Sequence, residues 1–290
     1  MAQTINTNLV SLNAQRNLSS SQSSLATSMQ RLSSGLRING AKDDAAGLAI
    51  AERMNTQVRG MSVATRNAND AISLAQTAEG ALGKVGDIFQ RMRELTVQAA
   101  NGTNSADDRT SLNEEFVQLA QEATRTLGGT QFNGSNILAT TSAQTFQIGA
   151  NNATNIDQIT VDAFNWAGAT DITALLGTDI LTGATGVPTL QISGTDGAAA
   201  LTALASIDDA INKVNSQRGT YGAVQNRFEN VVATLMVSSE NQSAARSRIM
   251  DADYASETAN LSRASILQQA GNAMVAQANQ LPQQVLALLR

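Results

Sequence analysis

The last turns of the chain constrain it most. Ala264, Leu267, Gly271, Met274, Ala278, Leu281, Val285 and Leu288 recur at alternating intervals of three and four residues, a heptad stripe that runs almost to Arg290. So narrow a stripe is one edge of a helix and needs another helix to cover it. Between Arg263 and Arg290 there is no charged residue, and the remaining positions are mostly small residues and amides such as Gln268, Asn272, Gln277 and Gln284. A helix with one wet face normally carries Lys and Glu there, so this one is expected to have neighbours on more than one side or to face confined water. The amides interrupt any continuous apolar run, which argues against a membrane span. A core helix of an ordinary bundle is the plainer alternative.

The other end of the chain matches. Leu18, Gln22, Leu25, Met29, Leu32 and Leu36 keep the same alternating spacing, and Arg16 is the only charge before Arg31. Chain ends are usually frayed and polar; these are two weakly charged helices with apolar edges. Between them, Met54, Val58, Met61, Thr65, Ala68, Ile72 and Ala75, then Ala78, Leu82, Val85, Phe89, Met92, Thr96 and Ala99, mark one very long helix. At 1.5 Å per residue that stripe is about 70 Å long. It should end near Asn101-Gly102, and Ser105 with Asp108 reads as the capping box of a following helix that stops at Gly128-Gly129.

Residues 130–200 change to Thr, Gly, Ala and Asn, and Thr145–Ile148 with Ile159–Phe164 alternate like the strands of a hairpin. Helical spacing returns at Leu204, Ile207, Ile211, Val214, Arg218, Tyr221, Gln225 and Phe228. The expected fold is mainly α: a long antiparallel helical coiled coil or bundle with a small β-hairpin region at its tip. The chain goes out and comes back, leaving unsatisfied seams at its two ends, as a building block of an assembly would.

Composition narrows the chemistry. A net charge of −5 argues against nucleic acid as a partner. With no Cys and no His, the chain has no thiolate nucleophile, no disulfide, no Cys/His metal site and no imidazole base. Acid pairs occur at Asp43-Asp44, Asp107-Asp108, Glu114-Glu115 and Asp251/Asp253. Three of them stand where helices start, so they read as helix caps rather than as a general acid and base. No catalytic, cofactor or metal site is expected. Met1 to Thr7 lacks a basic and an apolar region, so export, if it occurs, is expected to read another signal.

The runs Ala2–Asn8, Arg31–Asn39 and Asp43–Gly47 near one end, and Ala245–Ile249, Asp251–Tyr254, Ile266–Ala270 and Gln277–Gln280 near the other, are similar to those of the bacterial flagellins. The resemblance implies an inner domain of terminal coiled-coil helices, residues 1–44 and 247–290, and an outer helical domain, residues 45–246, that carries the 130–200 region. It implies a helical homopolymer, the flagellar filament of motility. The polymerisation seam is then expected at Leu18, Leu25, Met29, Leu32, Leu36, Leu267, Met274, Ala278, Leu281, Val285 and Leu288. It further implies type III export to the cell exterior, with an export apparatus, an export chaperone, filament-cap and hook-junction proteins as partners and no membrane insertion. Gln90, Arg91 and Leu95, with Glu115 on the next helix, resemble the patch by which some flagellins engage an innate immune receptor. A hook–filament junction protein, which shares these termini, and a secreted coiled-coil translocator or pore protein are the alternatives.

Overall fold

The structure is a computed structural model that describes residues 7–288 apart from 155, 165, 167–169 and 178–188, with the backbone alone for 170–171 and 281–288. Six helices carry most of it: α1 (Leu9–Ser34), α2 (Ala45–Ala100), α3 (Ala106–Gly129), α4 (Thr170–Leu176), α5 (Ala198–Met250) and α6 (Tyr254–Leu288). The strands are short: β1 (Gln131–Phe132) pairs with β2 (Ser135–Asn136), and β3 (Gln144–Gln147) with β4 (Gln158–Val161), both antiparallel. The chain is mainly α with a small hairpin region, as its sequence implies.

Two compact units divide the chain: Met1–Val58 with Glu240–Arg290, and Arg59–Ser239. The divisions fall inside α2 and α5. The expected boundaries at 44/45 and 246/247 therefore lie within the first unit.

The second unit contains the large core. On α2 the buried positions include Ala68, Ala71, Ala75, Ala78, Leu82, Val85, Phe89, Met92, Leu95 and Ala99; on α5 they are Ala200, Ala203, Ile207, Ala210, Val214, Gln217, Tyr221 and Phe228. Alanine lets helix backbones approach closely, and the few aromatics fill what remains. The ring of Phe146 on β3 meets Phe228 edge-on at 5.6 Å, which docks the hairpin on α5. Asn67 on α2 donates to the carbonyl of Gln147 at 3.0 Å. Gly60 lets the hairpin turn approach, since a Cβ there would lie 2.7 Å from that of Ala150.

Helix ends follow local chemistry. The Ser105 hydroxyl accepts from the Asp108 amide and the Asp108 carboxylate accepts from the Ser105 amide, a complete capping box for α3. Asp44 Oδ1 accepts from the Gly47 amide, and Asp253 Oδ1 from the amides of Ala255 and Ser256, at the starts of α2 and α6. Asp44, Asp108 and Asp253 thus cap helix starts, as the sequence suggests, whereas Asp43 accepts from the amides of Asn39 and Gly40 in the turn before α2. The β1–β2 turn uses Asn133 and Gly134, both at positive φ.

In the first unit the turn after α1 and the turn after α5 are zipped together. Gly35 caps α1 at φ 70°, which frees the chain to turn. Leu36 then bridges to Asp251, the Arg37 amide donates to the Met250 carbonyl at 2.6 Å, and the Ala252 amide to that of Gly35 at 2.9 Å. The Arg37 guanidinium donates to the Ile249 carbonyl at 2.7 Å. Ile38, Ala51 and Met250 form a small buried cluster with Leu36, Leu48 and Ile249 around it. This cluster joins residues on both sides of position 44, which is why no division falls there.

Candidate functional site

Beyond that junction, α1 and α6 pack antiparallel. Asn8, which caps α1, donates through Nδ2 to the Ala278 carbonyl at 2.7 Å; the Ser11 hydroxyl meets Asn279 Oδ1 at 2.7 Å. Near the other end of the pair, Arg31 and Glu257 face each other at 3.8 Å. The covered side of α1 is Ser11, Ala14, Leu18, Ser21, Leu25, Ser28 and Leu32; that of α6 is Glu257, Leu261, Ala264, Gln268, Gly271, Val275 and Ala278. Both sets keep heptad spacing. The seam is thin, because more than half of it is Ser, Ala, Gly or Gln. At Gly271 a Cβ would lie 3.1 Å from Leu18 Cδ1, so the helices touch closely there.

The expected seam is therefore split between two surfaces. Leu18, Leu25, Leu32 and Ala278 belong to the α1–α6 contact, and Leu36 to the junction cluster. Met29, Leu267 and Met274 do not: they remain 57%, 51% and 56% exposed. Small residues take the centre of α6's contact, and the larger side chains three positions on are turned out. Leu281, Val285 and Leu288 have side chains outside the described residues. Leu9, Val10, Leu12 and Ile266, absent from the expected seam, are also exposed. The first unit thus presents large apolar side chains on both helices, on the sides they do not use against each other. Their sequence signal was present as apolar residues flanking the heptad positions.

In the second unit, Arg91 donates through Nε to Glu115 Oε1 at 3.0 Å and through Nη1 to Glu94 Oε2 at 2.9 Å. Bonding to Glu94 first and Glu115 second raises its pKa above the ordinary arginine value. Gln90, Arg91 and Glu115 are exposed together, on α2 and α3. Leu95 is not on that surface; it is 1% exposed and belongs to the core. One turn from Arg91 along α2, it is buried among the core residues of the second unit. Glu94, one turn below Gln90 on the same helix, completes the ionic cluster. Nearby, Arg93 Nε donates to Asp208 Oδ1 on α5 at 2.7 Å.

Among the described residues no helix is long and apolar enough to cross a membrane. Two family descriptions match the chain: bacterial flagellin N-terminal helical region over residues 5–143, and bacterial flagellin C-terminal helical region over residues 204–289. The hairpin β3–β4 and helix α4 lie in the stretch between them. The chain is 45% identical to a flagellin of Halalkalibacterium halodurans over 99% of both chains. It is 44% identical to a flagellin of Bacillus subtilis, again over 99% of each, and 42% identical to the flagellar filament 33 kDa core protein of Treponema phagedenis over the same shares. Identity at this level, sustained from end to end, shows that the chain belongs to the bacterial flagellins.

Proposed function

We propose that this chain is the structural subunit of a helical flagellar filament, joined copy to copy through the outward faces of α1 and α6. The observation that carries the reading is the exposed set Leu9, Val10, Leu12, Met29, Ile266, Leu267 and Met274. Apolar side chains of this size on both members of a thin helix pair favour cover by further helices. The near-absence of charge on α6 supports the same reading, since amides and small residues tolerate burial against neighbours better than Lys or Glu. Relatives named flagellin or filament core protein over their full length favour the filament over the hook–filament junction, and nothing in the seam favours a pore. No catalytic role is assigned.

Passage through an export apparatus with a chaperone, release outside the cell, and contact with cap and hook-junction proteins accompany this reading. For the innate immune receptor, the supporting observation is the exposed grouping of Gln90, Arg91 and Glu115. Leu95 would contribute by holding α2 in place beneath it. An arginine with fork-shaped bonding beside a firm core is the kind of residue that anchors an interface. Arg91→Ala is expected to weaken binding of the free chain by on the order of 1–3 kcal/mol. Unchanged affinity of the variant for the receptor ectodomain would remove this patch.

The primary test is direct. Purified chain incubated with short sheared polymers of itself should extend them into helical filaments visible by electron microscopy. It should also restore swimming to cells lacking their own filament subunit. Protein that stays monomeric under these conditions, and cells that stay non-motile, would contradict the proposal.

A further inference from the structure

The chain has eight methionines and no cysteine, so thioethers are its only oxidisable sulfur. They fall into distinct environments. Met61, Met92 and Met250 are buried, whereas Met29, Met236 and Met274 are 57%, 57% and 56% exposed. Oxidation of methionine follows access of the oxidant to sulfur. Two of the exposed three, Met29 on α1 and Met274 on α6, lie in the unit proposed to meet neighbouring copies; Met236, on α5, lies in the other unit.

We infer that Met29 and Met274 are modification sites at which oxidation by hydrogen peroxide switches off assembly of the free chain. The sulfur lone pair attacks one peroxide oxygen, the O–O bond breaks and an S–O bond forms. Sulfur gives up two electrons, the second oxygen leaves with both protons as water, and the product is methionine sulfoxide. Neither side chain belongs to the α1–α6 seam, so oxidation leaves the fold of the subunit intact. It replaces a flexible apolar side chain by a strong dipole, which resists being covered by a neighbour's apolar surface. Once a copy is assembled, the same cover shields both sulfurs. The free chain is thus sensitive and the polymer resistant. The inference rests on the proposed assembly through α1 and α6.

The test treats monomer and polymer with hydrogen peroxide, follows each methionine by peptide mass spectrometry, and measures extension of polymer seeds. In the monomer Met29, Met236 and Met274 should convert before Met61, Met92 and Met250. In the polymer, conversion of Met29 and Met274 should slow at least tenfold. Oxidised monomer with an unchanged circular dichroism spectrum should extend seeds at least tenfold more slowly, and methionine sulfoxide reductases should restore the rate. The double variant Met29→Leu, Met274→Leu should resist peroxide, while Met236→Leu should not. Oxidised wild-type chain that extends seeds at the untreated rate, or equal oxidation of Met29 and Met274 in monomer and polymer, overturns the inference and leaves the filament reading standing. Untreated chain that fails to extend seeds overturns both.

Discussion

Gly271 sets how closely α1 and α6 approach, because a Cβ at that position would stand 3.1 Å from Leu18 Cδ1. A branched side chain forces the pair apart, at about 1–3 kcal/mol for overpacking. Gly271→Val is expected to lower the protease resistance of α1 and α6 while leaving the second unit's thermal transition in place; unchanged digestion would contradict the packing. Tyr221 offers a pH test. Burial raises its phenol above the ordinary value of 10.0, and a hydrogen bond with Gln217 opposes this in part. The folded state therefore favours the neutral phenol. That stability is fully present below the unfolded pKa and is lost as pH rises through the higher folded one. Tyr221→Phe should flatten the fall of stability above about pH 10; an unaltered alkaline profile would refute the assignment. The residue level also shows the limit of the sequence. Heptad spacing identified Ala264, Gly271 and Ala278 and, equally, Leu267 and Met274. Spacing alone does not tell which stripe faces a partner within the chain, because closest packing favours the small side chains and hydrophobicity favours the large.

Helix α3 was legible down to its cap, because Ser105 and Asp108 carry their own local hydrogen bonds. The β3–β4 hairpin was legible from alternation. The β1–β2 pair and α4 were not, since two-residue strands and a seven-residue helix contain too few turns of any period to rise above noise. Arg109 was invisible too, as its role depends on distant backbone. It is 3% exposed and donates to the carbonyls of Ala99, Asn101 and Thr195, tying the end of α2 to the segment before α5. Arg109→Met keeps the bulk but orphans these carbonyls, and should lower stability by on the order of 3 kcal/mol. A denaturation midpoint within error of wild type would show that water replaces the guanidinium at no cost. The seam of α1 and α6 buries mostly small groups, whereas α2 buries Leu82, Val85, Phe89 and Met92. Amide exchange in the monomer should therefore be faster across α1 and α6 than across that stretch of α2. Equal protection would mean that the thin seam is stronger than its composition allows.

At the level of the whole molecule, the first unit leaves large apolar side chains exposed on both α1 and α6, and in the filament proposed above other copies of the chain cover them. The sequence conveyed this through its nearly uncharged ends; which side chains face outward required the fold. The claim is best tested at Leu267, which is 51% exposed on α6 and so carries little of the subunit's own stability. Leu267→Asp should leave the monomer's thermal transition within about 0.5 kcal/mol of wild type, as exposed substitutions do. If assembly covers this position, a charge there becomes very costly to bury. The decisive measurement is the rate at which the variant extends seeds of wild-type polymer, with Asn152→Asp, at the exposed hairpin turn, as the control. Extension at least a hundredfold slower for Leu267→Asp, with a wild-type rate for Asn152→Asp, is the predicted result. Extension by Leu267→Asp at the wild-type rate would contradict assembly through the outward face of α6.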